Sequence, residues 1–156
     1  MAPTSKRTRA VAIPGSDVGG VRYHLYRQAY TQINRALELG FYLEAITLVE
    51  SLVTDRVESR LSFLKKTDFS FKTLGTLIAE SKKLEPDAVL KDLVTQRLDQ
   101  WRDARNKALH EMAKLANGVA TTWDERVQNV VPVAKEGLTT LRAIDKRCKE
   151  LRKLSA

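Results

Sequence analysis

Cysteine is almost absent from this chain: Cys148 stands alone among 156 residues. A lone thiol closes no internal disulfide, so no disulfide framework is expected and a reducing, cytoplasmic setting is. Proline and glycine are scarce too, at 4 and 7 residues, and Pro3, Pro14, Gly15, Gly19 and Gly20 all fall near the amino end. The remainder is poor in turn formers, which favours long helices with short connections. No apolar run approaches the roughly 20 residues a membrane-spanning helix needs. No hydrophobic segment follows the basic residues at the amino end, so no secretory leader is expected. Only His24 and His110 accompany Cys148 as soft metal ligands, and they lack zinc-site spacing. Gly19-Gly20 has no following Lys-Ser/Thr, so a phosphate-binding loop of the Walker type is absent. Neither a metal nor a cofactor is expected.

Hydrophobic residues make up 43% of the chain, which marks it as globular. The length suits one domain with a real core, residues 21–156, behind a flexible leader at 1–20. The formal charge is +8, which suggests an anionic partner such as nucleic acid. Lys6, Arg7 and Arg9 lie in the leader. Arg142, Lys146, Arg147, Lys149, Arg152 and Lys153 crowd the C-terminal helix, opposed there by Asp145 and Glu150. That cluster reads equally well as a plain solvated face. A membrane-surface role is disfavoured because the apolar side of the same helix is needed by the core.

Hydrophobic periodicity predicts an all-α fold. A first helix spans about 23–39 on Leu25, Ala29, Ile33, Ala36 and Leu37, with Gly40 as its stop. A second spans 42–64, with Ala45, Ile46, Val49, Leu52, Val53, Val57, Leu61 and Leu64 on one stripe. The short connection makes the pair an antiparallel hairpin. A short helix follows over 71–84. Pro86 fits the first turn of the next helix, which runs to about Leu115 and ends by Gly118. Its seam is Val94, Leu98, Trp101, Arg105, Ala108 and Met112. Thr122-Trp123-Asp124-Glu125 is a capping box for a last helix, which Pro132 should kink or restart. The expected architecture is an up-down bundle of four long helices plus one short helix. Cys148 lies on the last apolar stripe and reads as core, and Trp101 and Trp123 as core or interface anchors.

Arg105 stands where the seam calls for leucine. It either snorkels or pairs with a core carboxylate, or it holds a phosphate with its planar donor fork. Glu44, Glu50 and Asp55 on the second helix are candidate partners. His110 is suited to proton transfer near neutral pH. It lies roughly 140° around a straight helix from Arg105, so the two share a site only if the helix bends after Leu109 or if two subunits meet. Asn106 shares the face of His110. Taken alone, that polar strip reads as solvated surface.

Arg105-Asn106-Lys107-Ala108-Leu109-His110 resembles the Rx4–6H motif of HEPN domains, including the polar residue after the arginine. Gly40-Phe41-Tyr42-Leu43-Glu44-Ala45-Ile46 is similar to the start of the second helix in that family. The resemblance covers about residues 22–154. It implies a small helical bundle with the motif near the end of the third long helix. It also implies a homodimer whose motifs meet across a cleft, and metal-independent cleavage of RNA in toxin–antitoxin or anti-phage systems. A toxin implies a neutralising antitoxin partner. Other members of the family are non-catalytic binding modules. On the enzymatic reading Arg105, His110 and Asn106 are the catalytic set. The rivals are a helical module that binds RNA or protein through its basic surface, and a structural dimer in which Arg105 is a registry charge.

Overall fold

The computed structural model describes residues 8–67, 71–115 and 121–156. Lys6, Arg7 and the stop expected at Gly118 lie outside the described residues. The chain is all-α, and no strand forms among the described residues. Helix α1 is Val18–Leu39 and α2 is Tyr42–Lys65. Helix α3 is Leu74–Leu84. A single rod then combines α4 (Ala88–Asp92), a π-helical segment (Leu93–Leu98) and α5 (Asp99–Glu111). Helix α6 is Trp123–Leu154. The four long rods and the short α3 are those expected from the periodicity.

The α1–α2 hairpin follows from Gly40. Its φ of +82° is open to glycine, and it lets Gly40 and Phe41 donate back to Leu37 O and Ala36 O. Helix α2 is the central strut, packed on α1, α3 and α6. Its predicted stripe from Ala45 to Leu61 is buried. Helix α1 departs from expectation in two ways. It starts at Val18, so it takes in Gly19 and Gly20, and its inward face is Tyr26, Ile33 and Ala36. Leu25 is 58% exposed, because the stripe passes through its neighbour Tyr26.

The part of the leader that is described does not hang free. Arg9 is buried and ion-paired to Asp55, and Arg22 donates to Ala10 O at 2.7 Å. Tyr26 also donates to Asp55. Burial alone would raise the Asp55 pKa, but the hydrogen bonds from Arg9 and Tyr26 outweigh it and hold it below the usual aspartate value.

Helix ends are set by side chains. Pro86 precedes the fourth rod instead of opening it. The N-cap is Asp87, which accepts from Leu90 N at 2.8 Å while Arg147 grips both its oxygens at 3.0 and 2.6 Å. The capping box of α6 is complete, with Glu125 N to Thr122 Oγ1 at 3.2 Å and Thr122 N to Glu125 Oε2 at 2.9 Å. Helix α6 runs through Pro132 without a fresh start. Most charges that enter the core are paired, although Glu58 is buried without an ion-pair partner among the described residues. Arg56 meets Asp145 at 2.6 Å with both side chains over 90% buried, and Arg60 holds Glu85 through two bonds at 2.8 and 2.9 Å.

Trp101 locks α5 onto α6. Its indole N–H donates to Val133 O at 2.9 Å, and its ring lies on Gly137, where a Cβ would sit 2.7 Å from Nε1. Gly137→Ala is expected to lower stability by about 1–3 kcal/mol, offset in part by alanine's better helix propensity. Gly20→Ala, with open space around it, should be neutral or raise stability by up to about 1 kcal/mol. Paired thermal melts check this, and equal Tm values for the two variants would refute the contact.

Asp55 gives a pH signature. Its folded pKa is depressed, so its stabilising contribution is present above the unfolded value and lost as pH falls through the folded one. Unfolding free energy should decline below about pH 4, and the decline should be shallower in Asp55→Asn. Urea titrations at several acid pH values measure it.

Candidate functional site

The rim where the α4–α5 rod passes the first half of α2 holds the sequence-predicted residues. Val94, Leu98 and Trp101 are buried on the seam, and Arg105 follows one turn after Trp101, with its side chain 17% exposed. Its Nη2 donates to Glu50 of α2. The other two carboxylates considered are engaged elsewhere: Glu44 accepts from Gln32 at 3.2 Å, and Asp55 is taken by Arg9 and Tyr26. Position explains the choice. Arg105, near the end of α5, reaches Glu50 in the first half of α2, which follows the buried Val49 and is half-buried at the edge of the stripe.

The guanidinium is not fully used. Its Nε is buried and has no partner among the described residues. A fork that spends one nitrogen on a carboxylate and keeps donors in reserve can still bind a phosphate or carboxylate oxygen.

Asn106 is half-buried and His110 is exposed. Helix α5 stays regular through Glu111, so there is no bend after Leu109 to turn His110 toward Arg105. The two side chains therefore leave the helix roughly 140° apart. One chain brings Arg105 and Glu50 together, and it does not bring His110 to them.

The end of α5 is held by a residue that sequence reasoning passed over. The Arg126 guanidinium, near the start of α6, donates to the carbonyls of Glu111, Met112 and Lys114 at 2.5, 3.3 and 2.6 Å. It satisfies carbonyls that a helix C-terminus leaves open. An arginine in the first turn of a helix carries no sequence signal for such a role. The expected interface residues also part company: Trp101 is buried, whereas Trp123 is 59% exposed. Leu109, next to His110 in the chain, Leu115 and Trp123 are exposed apolar residues. Cys148 is core, and burial pushes its thiol pKa up to about 11, so it is no nucleophile near neutrality.

The chain matches no known protein family, no curated protein and no solved structure.

The Arg105–Glu50 pair is only part-buried, so its coupling should fall between that of an exposed pair and a buried one, at about 1 kcal/mol. A double-mutant cycle with Arg105→Ala and Glu50→Ala in denaturant measures it. Additivity within error would mean that the contact contributes nothing to the fold.

Proposed function

We propose that this protein is a metal-independent endoribonuclease of the HEPN type, active as a homodimer, with Arg105, Asn106 and His110 as its catalytic set. The observation that carries the reading is the state of Arg105. It is a seam arginine anchored by Glu50 with an unpartnered Nε, on the same helix end as an exposed histidine. The resemblance of Arg105–His110 to the Rx4–6H motif supports it, as do the net charge of +8 and the all-α bundle.

RNA carries its own nucleophile, so the chemistry needs no covalent catalyst. In the proposed reaction the 2′-oxygen attacks the adjacent phosphorus and the bond to the 5′-oxygen breaks. His110 takes the 2′-hydroxyl proton or supplies one to the leaving 5′-oxygen. Arg105 stabilises the charge building on the non-bridging oxygens. Asn106 orients the histidine or donates to phosphate. The products are a 2′,3′-cyclic phosphate and a 5′-hydroxyl. Because His110 and Arg105 diverge on one regular helix, the catalytic pair is completed by a second copy. The exposed Leu109 at the end of α5, Leu115 after it and Trp123 at the start of α6 give that copy apolar surface to cover. A toxin or anti-phage role follows from the resemblance, and would call for a neutralising protein partner.

One observation favours a second reading, a non-catalytic helical dimer that binds RNA or a protein through its basic surface. His110 makes no hydrogen bond to any described residue that would fix its ring.

The test is cleavage of mixed-sequence RNA in EDTA. Wild type should cut and leave cyclic phosphate ends, with matching DNA resistant. His110→Ala and Arg105→Ala should each lose about 10²–10⁴ in rate while keeping the helical circular dichroism of the parent. Full cleavage by His110→Ala would remove the mechanism.

A further inference from the structure

An open groove lies between α1 and the C-terminal half of α6, with a volume of about 580 Å³. Tyr30 and Asn34 of α1 form one wall. Arg142, Lys146, Lys149 and Lys153 form the other, at spacings of four, three and four residues that place them on one face of α6. At 1.5 Å per residue that row is roughly 16 Å long.

The carboxylates of the groove cancel only part of this charge. Asp145 is turned inward, held by Arg56 at 2.6 Å and by Lys149 at 2.7 Å. Glu150 is taken by Arg147 at 3.0 Å. Arg142 makes one long bond to Asn34 at 3.3 Å, and Lys146 and Lys153 have no ion-pair partner among the described residues. At the floor the Tyr30 hydroxyl is buried without a hydrogen-bond partner among the described residues. Burial pushes its pKa up to about 12, so it keeps its proton and is a donor in want of an acceptor.

The face of α1 that lines the groove continues toward its N-terminus through Arg27 to Tyr23, again at helical spacing. Tyr23 is 60% exposed, with the Arg27 guanidinium 5.9 Å from its ring centre. A row of cations with an exposed aromatic at one end is the combination that holds single-stranded nucleic acid, through phosphates and base stacking respectively. An acidic protein surface would have no use for the ring. A lipid surface would call for exposed aliphatic residues along the groove, and its walls present none.

We propose that the α1–α6 groove is a docking track for single-stranded RNA, with Arg142, Lys146 and Lys153 on the phosphates, Tyr30 donating to a phosphate or ribose oxygen, and Tyr23 stacking on a base. The proposal rests on RNA as the partner, and it deepens the nuclease reading by giving the substrate a grip remote from the scissile bond.

The experiment is titration of a fluorescein-labelled 12-nucleotide mixed-sequence RNA with the full chain carrying His110→Ala, at several salt concentrations. Lys146→Gln/Lys153→Gln should weaken binding about tenfold and reduce the log–log salt slope by about 1.4, at 0.7 per phosphate contact. Tyr23→Ala should weaken it about fivefold or more. Lys82→Gln/Lys83→Gln on α3 removes the same charge elsewhere and should leave the Kd within about twofold. Equal losses from the two lysine pairs, an unchanged Kd in the groove variants, or binding of anionic vesicles with none of RNA would each overturn the track. With His110 restored, the groove variants should raise KM and keep kcat. Groove-dependent binding without any cleavage by wild type would sink the nuclease reading and leave the track standing.

Discussion

The contact between Trp101 and Gly137 governs the geometry of the candidate site. An indole laid on a helix backbone, with its N–H donating to Val133 O, admits one rotation of α5 against α6. Arg105 is one turn further along that face, so the rotation that seats Trp101 also sets the direction in which Arg105 leaves the helix. The same rotation turns His110 outward. A glycine on α6 therefore decides which way the charges of α5 point, and the steric demand runs back to the absence of one methyl group.

A second constraint is electrostatic. A bundle of this size has few apolar residues to spare, and several arginines enter its interior. Each does so against a carboxylate: Arg9 with Asp55, Arg56 with Asp145, Arg60 with Glu85 and Arg147 with Asp87. Buried pairs of this kind offset their own desolvation and add little net stability, but they penalise any register that separates them. They also leave the excess cations outside. Asp145 is held by Arg56 and Lys149 and Glu150 by Arg147, which leaves Arg142, Lys146 and Lys153 as the uncancelled charge on the outer face of α6.

The helices were legible in the sequence because they are amphipathic with a strict period. The stripe of α2, the seam from Val94 to Met112, the Gly40 stop and the Thr122 capping box all depend on local chemistry that a linear reading captures. What escaped depends on neighbours. Leu25 and Tyr26 both satisfy a helical stripe, and only packing selects Tyr26. Pro86 suits a first turn, but Asp87 wins the N-cap because its carboxylate serves Leu90 N and Arg147 at once. The proline and glycine content of the leader suggests a free segment, yet Arg9 is drawn in by a carboxylate 46 residues away. The π-helical segment at Leu93–Leu98 had no signal at all. At the site, Arg105 and the choice among Glu44, Glu50 and Asp55 were visible as a short set of options. The winner was set by where the bundle places the end of α5, within reach of Glu50.

The divergence of Arg105 and His110 is the informative result. A bent α5 would have let one chain assemble a proton-transfer group beside a phosphate-binding group, and such a site would be active wherever the chain is folded. Here α5 stays helical to Glu111, and Arg126 holds the carbonyls of Glu111 and Lys114, so the helical turn between Arg105 and His110 is unbroken. Chemistry that needs both residues must then be completed by a second body, and its rate must depend on protomer concentration. Activity that vanishes on dilution while the helices stay intact is the behaviour this geometry demands of a catalytic site. Activity that persists unchanged at concentrations where the protein is monomeric would mean that His110 and Arg105 do not act together.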